Sequence, residues 1–117
     1  MLPSEDHYEI DVATASSLLD SEEPPFRLID CREQDEFDHC RIEGAELIPL
    51  SRFAEIAHQR LLPAPEDAKP LVIYCHHGMR SLNATRFLRQ NGRTLVWSLR
   101  GGIEAWSTQI DPTVPRY

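Results

Sequence analysis

The run Leu71-Val72-Ile73-Tyr74 passes straight into Cys75-His76-His77-Gly78-Met79-Arg80, and an amphipathic stretch from Ser81 to Arg89 follows. No other segment constrains the fold so strongly. A short apolar run without polar alternation suits a strand covered on both faces, as strands are in parallel sheets. The spacing beyond the loop predicts a helix. Strand, tight loop and helix in that order aim the loop N–H groups and the positive end of the helix at one point, which makes an anion site. A cysteine at that point is favoured as a thiolate, and a thiolate is a nucleophile.

The remaining chain repeats the alternation. A short strand is expected from His7 to Ile10, then a helix from Val12 to Leu19 capped by Asp11, with Val12, Ala15, Leu18 and Leu19 on one face. Glu22-Glu23-Pro24-Pro25 ends that unit. Strands are expected over Phe26–Asp30, Ala45–Pro49 and Thr94–Leu99, with a helical turn from Glu33 to Phe37. Ser51 is placed as the cap of a helix burying Phe53, Ile56, Ala57 and Leu61, and a last short helix is expected from Ile103 to Trp106. Strands alternating with helices indicate an α/β fold whose parallel sheet is flanked by helices on both faces. Ligands in such sheets lie at the carboxyl ends of the strands, where Cys75, Asp30 and Cys31 are expected.

A length of 117 residues makes residues 1–117 a single domain, able to bury about two-thirds of its surface. A net charge of −7 argues against nucleic acid and anionic membrane as partners, since phosphate would be repelled. The first residues carry neither the basic nor the apolar part of a signal peptide, and no run reaches transmembrane length. Three cysteines, Cys31, Cys40 and Cys75, form no C-x-x-C pair, so free thiols in a reducing, cytoplasmic compartment are expected. A disulfide from Cys75 to Cys31 or Cys40 under oxidation stays open, because spacing does not establish reach.

Within the loop, Gly78 permits a backbone angle that turns successive N–H groups inward. Arg80 is a cation in the first turn of a helix, where it opposes the dipole unless an anion lies between them. Ser81 is expected to cap the helix and to offer its hydroxyl to the same anion. Adjacent His76 and His77 do not share a helical metal face; they read as loop donors or solvent-exposed groups, one of them able to tune the thiolate. The spacing of cysteine and histidine lacks the pattern of structural zinc, so no metal is expected.

These residues resemble the rhodanese-like sulfurtransferase domains over nearly the whole chain, from about His7 to Tyr117. Leu28-Ile29-Asp30-Cys31-Arg32 is similar to that family's strand ending in Asp-x-Arg. Glu36-Phe37 with Ile42-Glu43-Gly44-Ala45 and Ile48-Pro49 resembles its second motif, and Val72 to Ser81 its active-site motif. Leu99-Arg100-Gly101-Gly102-Ile103-Glu104-Ala105-Trp106 resembles its glycine–tryptophan signature. Cys40-Arg41-Ile42 stands where the family commonly has Gly-His-Ile, so no histidine role carries over there. That variant, and the segment from Ile110 to Tyr117, resemble rhodanese domains appended to adenylyltransferases that activate sulfur carriers.

The resemblance implies a five-stranded parallel sheet and a Cys75 that accepts sulfane sulfur as a persulfide. The donor would be a small anion such as thiosulfate, or a protein persulfide, and no cofactor is implied. Backbone N–H groups of His76, His77, Gly78, Met79, Arg80 and Ser81 would stabilise the sulfur, with Arg80 holding the donor. Asp30, Arg32 and Glu36 are expected behind them, as a network that supports the loop. A sulfur carrier or a cysteine desulfurase is the implied protein partner. A sulfur-relay module acting on another protein is the alternative, with a phosphatase or arsenate reductase on the same scaffold behind it. Four residues separate Cys75 from Arg80, against five in those related enzymes, which favours sulfur over a tetrahedral oxyanion.

Overall fold

The computed structural model describes residues 1–117. Five strands, β1 (Glu9–Ile10), β2 (Arg27–Asp30), β3 (Glu46–Leu47), β4 (Leu71–Tyr74) and β5 (Val96–Leu99), pair in the order β1-β5-β4-β2-β3. Every pairing is parallel. The five helices are α1 (Val12–Leu19), α2 (Gln34–His39), α3 (Phe53–Arg60), α4 (Met79–Gln90) and α5 (Gly102–Gln109). The expected five-stranded parallel α/β architecture is the observed one.

Alternation along the strands divides the core into two layers. Leu28, Val72 and Tyr74 pack with Val12 and Ala15 of α1 and with Ile103 and Trp106 of α5. Ile29, Cys31, Leu71, Ile73 and Cys75 face the other way, onto Phe53 and Ala57 of α3 and Ala84 and Leu88 of α4. All four residues of β4 are fully buried, because the strand lies mid-sheet with helices on either side. Each large side chain so buried contributes about 1.5–3 kcal/mol of transfer free energy.

Several element ends differ from expectation, for local reasons. The strands are shorter: His7, Phe26, Ala45 and Thr94 lie outside them, because the paired register begins only at Glu9, Arg27, Glu46 and Val96. Asp11 caps α1 as expected, its carboxylate accepting the Thr14 N–H at 2.7 Å. Ser51 is no cap; it sits in a 3-10 turn (Leu50–Arg52), and its hydroxyl donates to Glu33 at 2.6 Å. Ser81 is no cap either: α4 begins at Met79, two residues earlier, with Gly78 at the N-cap in left-handed backbone (φ 110°). No helix is long and apolar enough to cross a membrane.

Candidate active site

Cys75 follows the last residue of the middle strand, and its sulfur is the point where the loop closes. The Sγ accepts the Gly78 N–H at 3.1 Å and the Ser81 N–H at 3.4 Å. The Ser81 hydroxyl lies 3.4 Å from the same sulfur. Left-handed backbone at Gly78 turns its N–H back towards the cysteine, an angle costly for any residue with a Cβ. The opposite polarity of the loop is tied down by α5. Ile103 N–H donates to Cys75 O at 2.9 Å and Glu104 N–H to His76 O at 3.1 Å, so these carbonyls face the helix and not the sulfur. Gly102 makes this approach available, since a Cβ there would collide with both carbonyls.

The sulfur has a second neighbour on the sheet. Asp30 pairs with Tyr74 across β2 and β4, so Cys31 and Cys75 occupy the next positions on adjacent strands and point into the same layer. The Cys31 side chain faces Cys75 from the neighbouring strand. Donation from Cys31, from the Ser81 hydroxyl and from the two N–H groups holds the Cys75 thiol down to about 4 despite its burial. The Cys75 thiolate beside it, together with burial, pushes Cys31 far up, so Cys31 stays protonated. Behind Ser81 stands Ser98 of β5, oxygen to oxygen 2.7 Å away and fully buried. When Ser98 donates to Ser81, the one Ser81 proton is shared between the sulfur and the Gly78 carbonyl 3.2 Å away, and a charged sulfur is the stronger acceptor.

A charged rim surrounds this pocket. Arg80 makes a bidentate pair with Glu36, at 2.7 and 2.9 Å, and does not point at the sulfur. Glu36 also accepts from the Tyr117 hydroxyl at 2.7 Å, and its carboxyl is held down to about 2, chiefly by Arg80. Tyr117 accepts in turn from Arg32 at 2.7 Å. Arg32 is fully buried against Asp30 (2.7 Å) and donates to Cys40 O at 2.6 Å, tying the end of β2 to the loop after α2 and to the C-terminal segment. The Tyr117 ring stacks on His76 at 3.9 Å, and His76 on His77 at 4.0 Å. Burial, then the neighbouring His77, lower the pKa of His76.

The structure therefore brings Cys75, Gly78 and Ser81 together on one sulfur and sets Arg80, Glu36 and His76 at its rim. Of the six loop amides expected around the sulfur, those of Gly78 and Ser81 make the hydrogen bonds. His77 and Met79 expose their side chains to solvent. Asp30 and Arg32 hold the rim together through Tyr117 without touching the sulfur. Sequence reasoning missed the donor role of Cys31, and it missed Ser98 and Tyr117. The signal for Ser98 was present: a lone polar residue inside the buried run Val96-Trp97-Ser98-Leu99. Nothing local marked Tyr117. A cavity of about 770 Å³ lies elsewhere, between Phe26, Leu28, Ile42 and Trp106, with His39, Cys40 and Arg41 also in its lining and Cys75 outside it.

The family model of the rhodanese-like domain matches residues 11–109, which includes every element from α1 to α5. The chain belongs to the rhodanese-like domain family. This rhodanese-like domain is 40% identical over 84 residues to the uncharacterized protein YqhL of Bacillus subtilis, covering 72% of the chain and 63% of YqhL. It is 37% identical over 90 residues to the probable adenylyltransferase/sulfurtransferase MoeZ of Mycobacterium tuberculosis, covering 77% of the chain but 22% of MoeZ. Among solved structures, the human single-domain sulfurtransferase TSTD1 superposes with a TM-score of 0.71 at 27% identity, covering 87% of the chain and 96% of TSTD1. The chain thus spans less than two-thirds of the curated relatives just named.

Proposed function

We propose that this rhodanese-like domain is a sulfurtransferase that carries sulfane sulfur on Cys75. The observation that carries the reading is the Cys75 sulfur, met by two loop N–H groups and a hydroxyl inside a buried pocket, which favour its thiolate. In the first step the thiolate attacks the outer sulfur of thiosulfate. The S–S bond of the donor breaks, sulfite departs with its electron pair, and a Cys75 persulfide forms. In the second step a nucleophile, cyanide or a thiol, attacks the outer sulfur and releases the Cys75 thiolate. The Gly78 and Ser81 donors stabilise the sulfur anion at the start and end of the cycle, when Cys75 bears the charge. Arg80, one-third exposed at the rim, meets the anionic end of the donor by exchanging its Glu36 partner. The similarity to MoeZ, an adenylyltransferase/sulfurtransferase by name, supports a protein acceptor such as a sulfur carrier, for which a cysteine desulfurase would be the matching protein donor.

Incubation with thiosulfate followed by intact-mass measurement tests the reading. A gain of one sulfur atom, absent from Cys75→Ala and discharged by cyanide as thiocyanate, is expected. No gain by the fully reduced protein, from thiosulfate or from a desulfurase persulfide, would overturn it. Poor loading from thiosulfate with rapid loading from the desulfurase would mark the domain as a protein-to-protein relay.

A further inference from the structure

Cys31 is not required to hold the fold by charge or coordination, yet its sulfur sits beside the reacting one. Residues at paired positions on adjacent parallel strands lie about 4.8 Å apart, inside the 4.4–6.8 Å Cα window that a disulfide spans. The two cysteines follow the Asp30–Tyr74 pair directly, and the Cys31 N–H donates to Tyr74 O at 3.0 Å, which fixes this register at the site itself. Both side chains are buried in the same layer, whereas Cys40 packs in the opposite one. Cys31 approaches from the neighbouring strand, while the Gly78 and Ser81 donors approach from the loop and α4.

We propose that Cys31 is the resolving thiol of this site, which attacks Sγ of a persulfidated Cys75, expels hydrosulfide and closes a Cys31–Cys75 disulfide. The proposal rests on the sulfurtransferase reading above. The bond formed joins the two cysteine sulfurs, and the bond broken joins Cys75 to its sulfane sulfur. The Cys31 proton passes to the departing sulfur, which leaves as HS⁻ with the electron pair. Cys31 is oxidised to the disulfide level and the sulfane sulfur is reduced to sulfide, so the step needs no external oxidant. An external dithiol then reduces the disulfide and restores the site. Thiosulfate and two thiols are thereby converted to sulfite, hydrosulfide and a disulfide.

In the unloaded protein the step is silent, since Cys31 stays protonated beside the Cys75 thiolate and no leaving sulfur is present. Loading removes that thiolate and supplies the leaving group. The domain then has two exits for its sulfur: transfer to an acceptor when one is docked, and release as hydrosulfide when none is.

The test loads the wild-type protein, Cys31→Ser and Cys40→Ser with thiosulfate, removes excess donor anaerobically, and follows intact mass, released hydrosulfide and a non-reducing peptide map. Serine at 31 keeps a hydroxyl donor for the thiolate while removing the nucleophile. In the wild type the one-sulfur adduct should give way to a species two hydrogens lighter than the reduced protein, with one hydrosulfide per adduct and a Cys31–Cys75 link. Cys31→Ser should hold its adduct at least about tenfold longer, given the advantage of a positioned thiol. Cys40→Ser should behave as wild type. Equal adduct lifetimes in wild type and Cys31→Ser, or decay of the wild-type adduct without the link, would overturn this proposal alone. Absence of any Cys75 adduct in wild type and in Cys31→Ser, with no hydrosulfide released, would instead remove the sulfurtransferase reading, and this proposal with it. If Cys31→Ser does not fold, the peptide map of the wild type decides.

Discussion

Removing the Ser81 hydroxyl separates two roles that the pocket combines. In Ser81→Ala the sulfur keeps the Gly78 and Ser81 N–H groups and the Cys31 thiol but loses one donor 3.4 Å away. A hydrogen bond to a charged group contributes about 1.5–3 kcal/mol, and at this length the lower end applies. At 1.36 kcal/mol per pKa unit, the thiol should rise by about one unit from its value of about 4. The folded pKa remains far below neutrality, so the thiolate still dominates at pH 7. Nucleophilicity increases with basicity at a Brønsted slope of about 0.4–0.5, so neutral-pH alkylation should be unchanged or up to about threefold faster. Only the acid limb moves. The assay is the rate of iodoacetamide alkylation of Cys75 against pH, read on the peptide. Ser98→Ala, which leaves the Ser81 hydroxyl in place without its orienting partner, should shift the midpoint by less. An unmoved midpoint in Ser81→Ala, or a larger shift in Ser98→Ala, would refute the assignment of the Ser81 proton to the sulfur.

Three further outcomes follow from the same geometry. Arg32→Met strands the fully buried Asp30 carboxylate, and a loss of about 3–5 kcal/mol in urea denaturation is expected, less if Asp30 is also made apolar. Gly102→Ala meets both a backbone angle of +60° and the Cys75 and His76 carbonyls, so a loss of at least about 1–2 kcal/mol should accompany a raised Cys75 midpoint in the alkylation profile. Glu36 has a folded pKa of about 2 against an ordinary 4.5, so its stabilisation is complete above 4.5 and fades as pH falls through about 2. Trp97 and Trp106 fluorescence should report that part of acid unfolding, and Glu36→Gln should flatten it, modestly because the Arg80 pair is partly exposed.

The layers of the fold were readable because each strand is short, apolar and followed by a helical period. Leu71–Tyr74 shows this best, its strand ends coinciding with expectation. Element ends were less legible where tertiary contacts compete with local signals. Ser51 and Ser81 both look like caps, yet one hydroxyl is drawn to Glu33 and the other to Ser98 and the sulfur. Arg80 was expected to face an anion because it opposes the helix dipole, and the partner it meets is the Glu36 carboxylate, forty-four residues earlier and beyond any local pattern.

The residue types and their order along the chain already determine a parallel α/β sheet, a cysteine at the carboxyl end of a buried strand, and a short loop with a glycine where the chain must reverse. Those properties depend on periodicity, backbone freedom and neighbours in sequence. What surrounds the sulfur was decided only by the assembled sheet. Cys31 and Ser98 reach Cys75 and Ser81 through lateral strand order, and α5 turns the loop carbonyls away through a close approach at Gly102. Register and strand order are properties of pairing between distant segments, and no local pattern encodes which thiol will lie beside which.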